Sequence, residues 1–521
     1  MNVFKYGEDP LTVGTAIQIA KGQLSTHLSD LVIEKINKST SFVQEIVQDE
    51  QIVYGINTGF GPLCDTLISQ KDTATLQHNL LKSHAVGVGK PIDPFLSKLM
   101  MIIKVQALSQ GYSGIRLSTL QRICWMIDHD MLPEVPEQGS VGASGDLAPL
   151  SHLFLPLIGH GYVYFQGTRL PAMQALQSAQ LEPLQLGPKE GLGLINGTQF
   201  IAAHAVLGLY RMHSLLDAAD LAGALSIEGL MGSYQPFDER LHAIRPFKGN
   251  QYVAARLWNL LHDSPLANSH PDCGRVQDPY SLRCMPQVHG ASRTAWAHLH
   301  ELTNIEINAV TDNPIVLGSH DTISGGNFHG QPLAMAIDYA ALAAAELGNI
   351  ADRRCYLIIE GRYGLPKLLL QDAGLNSGFM IPQYTTAALV SENKSLCFPA
   401  SADSIPTSLG QEDHVSMGSI SGRKFNRILD NLENILAIEL LYAAQAIDFR
   451  RPLRSSAVLE ACHELIRQHV SFATEDRLFM YDIQALHSLI KENTFVETAN
   501  AAALKHQVNL HFPEYDTYRI H

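Results

Sequence analysis

The segment EQGSVGASGDLAPLSHL, Glu137 to Leu153, sets Gly139, Ser140, Gly142, Ser144 and Gly145 directly ahead of a helix signal. In that signal Asp146 suits an N-cap and Pro149 suits the first turn. Read for structure alone, it is a flexible turn before a helix. Read as a serine-hydrolase nucleophile elbow it fails, because that motif is G-x-S-x-G and here Gly145 directly follows Ser144. A third chemistry is internal. Gly145 has no Cβ, so in a tight fold its amide nitrogen can approach the Ala143 carbonyl without a steric block. Cyclisation and loss of water would turn Ser144 into an exocyclic methylene conjugated with a new five-membered ring, a methylidene-imidazolone and a strong electrophile.

Other segments are rich in reactive or small residues. They are YGINTGFG (Tyr54 to Gly61), NLLKSHAVGVG (Asn79 to Gly89), GLINGTQ (Gly193 to Gln199), QDPYSLRC (Gln277 to Cys284), SGGNFHG (Ser324 to Gly330) and QEDHVSMG (Gln411 to Gly418). Taken in this order with GSVGASGDLAPLSH, they closely resemble the histidine/phenylalanine/tyrosine ammonia-lyase family over almost the whole chain. In that family the Ala-Ser-Gly triad becomes a self-made 4-methylidene-imidazol-5-one, which here would arise from Ala143, Ser144 and Gly145 with no external cofactor. Eliminating ammonia from an α-amino acid requires removal of an unactivated β-proton and departure of a poor leaving group. Covalent capture of the amine by such an electrophile makes nitrogen a better leaving group.

The resemblance assigns further residues. Tyr280 would take the β-proton, and Arg283 would hold the substrate carboxylate with its planar fork. Tyr54, on a loop like the family's mobile inner loop, would join catalysis near the electrophile. Asn196 would hydrogen-bond the ring or the substrate carboxylate, Phe328 would line the pocket, and Gln277 would add a polar contact. His84 and Glu412 match the histidine-specific branch. Imidazole offers one donor and one acceptor, which a carboxylate and a second imidazole can meet, whereas a phenyl ring would leave Glu412 buried and unpaired. The implied reaction is L-histidine to trans-urocanate and ammonium, the first step of histidine degradation. Phe398 and His289 depart from the residues usual in bacterial histidine enzymes, which keeps a tyrosine or phenylalanine lyase, or an aminomutase, open on the same scaffold. A non-catalytic helical assembly protein with an uncyclised triad is the alternative of another class.

These residues need elements to hold them. Up to about residue 200 short helical patterns alternate with Gly-rich loops, including Tyr54 to Leu63. Beyond it the patterns are long and helical: Phe200 to Met231, Pro332 to Glu346 and Arg427 to Ala446. Asn268 to Gly290 and Ser401 to Gly418 read as too irregular for helix interiors. The expected organisation is a loop-bearing N-terminal domain over residues 1–200 and an α-helical bundle domain over 201–521. The fold class is mainly α, and the resemblance implies the L-aspartase/fumarase-like superfamily and a homotetramer whose active sites are each shared by three subunits.

Composition agrees with a large oligomeric enzyme. Of 521 residues, 46% are hydrophobic and only 17% charged, which suggests surface hidden against other subunits. A net charge of −14, with no basic run interleaved with aromatics, argues against a nucleic-acid partner. The N-terminus lacks a signal-peptide pattern, and the apolar stretches read as too interrupted to span a membrane, so a cytoplasmic location is expected. Seven cysteines from Cys64 to Cys462 form no CxxC pair and read as reduced thiols. Cys273 and Cys284 lie in a polar segment that could approach a site, although small core residues are the plainer reading. His298 with His300, and His506 with His511, make no convincing ligand set, so no metal is expected. GVGK at Gly87 to Lys90 is too short for a phosphate loop.

Overall fold

The computed structural model describes residues 3–59, 61, 68, 69, 72–270 and 274–520. Phe60, Pro62 and Leu63 of the Tyr54 loop, and the cysteines Cys64 and Cys273, lie outside them. Four long helices, Gln199–Gly229, Met285–Glu306, Gln331–Ile359 and Gly418–Asp448, pack on one another, with Lys248–Leu261 lying against the second. The chain is mainly α-helical. Short two- and three-stranded sheets only join its loops.

The Gln199–Gly229 helix is buried on nearly all sides, as its Ala-, Leu- and Gly-rich sequence allows. Two of its glycines mark close crossings. A Cβ at Gly208 would stand 2.3 Å from the Phe425 ring, and one at Gly223 would stand 2.2 Å from the Met285 methyl.

The helices run past the bounds that their apolar periodicity suggests. Gln331–Ile359 continues beyond Glu346 because Gly348 is a packing surface for Ile435 rather than a stop. Its later polar residues are also satisfied internally, with Asp352 accepting from Gln383 and Thr386. The segment Asn268 to Gly290 is not wholly irregular. Tyr280–Arg283 forms one helical turn, and Met285–Glu306 starts with Pro286 in its first turn, where a missing N–H costs nothing. The expectation that no apolar stretch reaches membrane length also needs correction. Gln331–Ile359 is long and apolar enough by composition, yet 67% of its most apolar window is buried inside the protein.

Buried ion pairs set the register between helices. Arg354 Nη2 donates to Glu439 Oε2 at 3.0 Å, and Ser226 Oγ donates to Glu439 Oε1 at 2.9 Å, so one carboxylate ties three helices. Asp217 and Asp220 face Arg256, Arg293 and His289 in a second cluster. A buried pair of this kind adds little net stability, but losing one partner strands a charge. Arg354→Ala is therefore expected to lower stability by about 3–5 kcal/mol, while a double replacement of Arg354 and Glu439 by Met recovers most of the loss. Denaturant midpoints followed by helical circular dichroism check both.

Candidate active site

The strand pair Val88–Pro91 and Pro136–Gln138 runs antiparallel with Val88 opposite Gln138, which lays the SHAVGVG segment beside the start of the small-residue loop. Gly87 N–H donates to His152 Nε2 at 3.0 Å across that junction. The loop then turns through left-handed backbone at Gly142, Ser144 and Gly145, with φ of 81°, 51° and 78°. For Ser144 this is an uncommon and costly conformation that surrounding contacts must hold.

Those contacts come from Asn196 and Gly197. Asn196 Nδ2 donates to the Ser144 carbonyl at 2.6 Å, and Asp146 N–H donates to the Gly197 carbonyl at 2.7 Å. Between them Gly145 presses on Gly197, where a Cβ would stand 2.2 Å from the carbonyl oxygen. The other flank is held by the start of the Gly418–Asp448 helix, where Ser419 Oγ donates to Ser140 O at 2.7 Å and Met417 N–H to Val141 O at 3.0 Å.

Asp146 is the N-cap of Leu147–Phe154 by position, but its side chain does not cap that helix. Its Oδ2 instead accepts from the Phe200 and Ile201 N–H groups, both at 3.0 Å, at the start of the buried helix Gln199–Gly229. Burial pushes this carboxyl up to about 7, against the pull of those two amides and of the Ser140 hydroxyl.

Over this loop opens a cavity of about 820 Å³ lined by Tyr54, His84, Ala143, Ser144, Asn196, Phe328 and Glu412. All seven were singled out from the sequence, whereas Gly145 does not line the cavity and packs against Gly197. Glu412 Oε1 accepts from Ser144 Oγ at 2.8 Å, while Oε2 accepts from Ser408 Oγ at 2.7 Å and Thr407 Oγ1 at 3.0 Å. Burial lowers the proton affinity of His84 although the nearby Glu412 raises it, so its imidazole favours the neutral form, with one donor and one acceptor nitrogen. Tyr54 Oη accepts from Gly61 N–H at 3.4 Å.

Sequence reasoning left other lining residues unassigned. His329 and His414 sit in the quoted SGGNFHG and QEDHVSMG segments, with Nε2 of the first 3.4 Å from Nδ1 of the second. Thr407 and Ser408, which orient Glu412, carried no signal beyond a polar loop.

Gln277, Tyr280, Arg283 and Cys284 do not line the cavity of this chain. Gln277 and Tyr280 are exposed, and Arg283 covers the Tyr280 ring at 4.6 Å while its Nε donates to Asp278 O. Neither departure from the histidine pattern reaches the cavity. Phe398 is exposed, and His289 is fully buried with Nδ1–H on Asp220 at 2.8 Å.

Residues 11–468 match the family described as aromatic amino acid lyase. The histidine ammonia-lyase of Sorangium cellulosum is 50% identical over 458 residues, 86% of this chain and 89% of that protein. Among solved structures, the histidine ammonia-lyase of Trypanosoma cruzi superposes with a TM-score of 0.89 at 38% identity, covering 99% of this chain and 97% of that one. The tyrosine aminomutase of Streptomyces globisporus superposes with 0.91 at 33% identity, covering 96% and 99%.

The Gly145–Gly197 contact leaves no room for a side chain. Gly145→Ala is expected to break the Asp146 N–H to Gly197 O bond and to speed hydrogen exchange at the Asp146 amide by roughly tenfold or more. Unchanged protection at that amide would show that the crossing can relax.

Proposed function

The chain belongs to the aromatic amino acid lyase family, and from that premise we propose that it is a carbon–nitrogen lyase converting L-histidine to trans-urocanate and ammonium. The observation that carries the choice of histidine is Glu412, fixed in the cavity by the Thr407 and Ser408 hydroxyls and facing the same space as His84. The fold alone does not choose, since a tyrosine aminomutase shares it. A carboxylate and a neutral imidazole can satisfy both nitrogens of a substrate imidazole, whereas a phenyl ring satisfies neither.

The residues around Ser144 fit a self-formed methylidene-imidazolone. The left-handed turn and the absence of a Cβ at Gly145 bring the triad back on itself, and Asn196 holds the Ser144 carbonyl. When formed, that group supplies an electrophilic carbon that makes the substrate amino nitrogen a leaving group. The chain's own groups then bind and move protons: His84 and Glu412 orient the imidazole, Phe328 packs on it, and Tyr54 places a phenol over the electrophile. In this reading residues 1–200 bring the loops and 201–521 form the bundle.

Tyr280 as base, Arg283 as carboxylate clamp and Gln277 as polar contact enter each cavity from other subunits of a homotetramer. Their position away from this chain's cavity, with Gln277 and Tyr280 exposed, supports that assignment. So does a stripe of exposed Met335, Tyr339, Leu342 and Tyr356 along Gln331–Ile359, spaced to pack against another copy. The free thiols of Cys124, Cys284, Cys355, Cys397 and Cys462 support a reducing, cytoplasmic setting.

Purified protein incubated with L-histidine is expected to produce the absorbance of urocanate, and none of coumarate or cinnamate from tyrosine or phenylalanine. Product from either of the other two in place of histidine overturns the roles of His84 and Glu412. Glu412→Gln is expected to lower kcat/KM for histidine by about 10²-fold, the cost of a charged hydrogen bond lost inside the cavity. Chains carrying Ser144→Ala and Tyr280→Phe are each expected to be inactive alone. Co-expressed, they should regain activity at roughly a quarter of the sites, as random assembly of shared sites requires. No recovery would place both residues in one chain's site.

A further inference from the structure

Lys104, on the helix Pro94–Leu108, is 1% exposed and has no carboxylate within 4.0 Å among the described residues. Its Nζ donates to one acceptor, the main-chain carbonyl of Asn196, at 2.7 Å. The neighbouring buried lysine is a contrast. Lys189 Nζ is paired with Asp312 Oδ2 at 2.7 Å and also donates to Ser113 O, while Ser113 Oγ occupies Asp312 Oδ1. Burial draws the Lys104 ammonium down to about 7, with Lys189 adding to the effect and Asp312 and Asp146 opposing it. An ammonium buried on a single peptide carbonyl is costly to the fold. Packing does not require it, because an apolar side chain would fill the same space.

The carbonyl that Lys104 holds belongs to the residue that grips the reactive triad. Among the described residues Asn196 Oδ1 is buried without a partner, and its side chain is held through Nδ2 on the Ser144 carbonyl. The next carbonyl, Gly197 O, receives the Asp146 N–H. Asn196 and Gly197 thus form a two-pronged clamp on Ser144 to Asp146, and Lys104 fixes it from behind.

We propose that Lys104 is a positioning residue for the self-cyclisation of Ala143, Ser144 and Gly145, holding the Asn196–Gly197 clamp in register and placing a buried positive charge behind it. This rests on the reading of the triad as a self-formed electrophile. In the maturation, the Gly145 nitrogen bonds to the Ala143 carbonyl carbon and its proton passes to the oxygen. That oxygen leaves as water with the Ser144 amide proton. The Ser144 hydroxyl then leaves with the Cα proton as a second water. Loss of the Cα proton sends its electron pair toward the Ser144 carbonyl oxygen, the atom that Asn196 Nδ2 holds at 2.6 Å. A fixed donor and a nearby cation stabilise charge developing there without reorganisation.

The test is the intact mass of the folded, helical fraction of four chains taken at intervals after cell-free synthesis: wild type, Lys104→Met, Lys104→Gln and Lys104→Arg. The wild type is expected to lose both waters. Both neutral variants are expected to lose them roughly tenfold or more slowly, with the methylidene-imidazolone absorbance lagging in step, and Lys104→Arg is expected to restore the rate to near wild type. Neutral variants that fold and mature at the wild-type rate overturn the role of Lys104 and leave the electrophile reading intact. A wild-type chain that keeps both waters overturns both. If neither neutral variant folds, the Arg chain still decides: a folded Arg chain that stays unmatured overturns the proposal, and one that matures normally supports it.

Discussion

Two backbone segments cross at Gly145 and Gly197 with no side-chain atom between them, and the rest of the site depends on that contact. It lets Asp146 N–H reach Gly197 O and Asn196 Nδ2 reach Ser144 O, so that Ser144 stays in a left-handed turn it would not adopt alone. It also brings the Asp146 carboxylate onto the first amides of the Gln199–Gly229 helix. The loop is thereby fastened to a long buried helix of the bundle rather than to its own short helix. A loop that carries chemistry gains its precision from such anchorage.

The anchor is rigid because its helix is held by charges as well as by packing. Burial alone would raise Asp217 and Asp220, but Arg256 and Arg293 more than offset it, and Asp217 is held at about 2. These carboxylates stay charged inside the bundle, and their partners come from two neighbouring helices, Lys248–Leu261 and Met285–Glu306. Arg354 and Glu439 act likewise between Gln331–Ile359 and Gly418–Asp448. Sliding any one helix by a turn would separate several such pairs at once. The same register therefore fixes where the N-termini of the Gln199 and Gly418 helices meet the reactive loop.

The small-residue loop was legible from its own residue types and spacing, whereas His84, Asn196, Phe328 and Glu412 were picked out only by the family resemblance, and the fold places all four on one cavity. The long helices were legible in kind but not in length. Periodicity fades where alanines dominate and where a residue such as Gly348 or Asp352 is answered by a distant partner. Asp146 shows the limit most clearly. Its position ahead of Leu147 suits a local cap, and only the fold shows that a helix more than fifty residues away claims its side chain. Lys104 gave no signal at all, being one lysine in an apolar run whose acceptor is a main-chain atom. Tyr280 and Arg283, named for catalysis by the resemblance, lie away from this chain's cavity, and nothing in their local sequence foretold that placement.

What the cavity selects follows from which groups are already committed. Glu412 has both oxygens engaged by hydroxyls that point it into the cavity, so a substrate ring meets a carboxylate with little freedom left to lose. In the proposed maturation Ser144 would lose its hydroxyl while Ser408 and Thr407 would keep theirs, which would free Glu412 Oε1. Maturation would in this way create the acceptor that an imidazole N–H needs. The site that makes the electrophile and the site that reads the ring would then share one carboxylate, first occupied by Ser144 and afterwards free for the substrate.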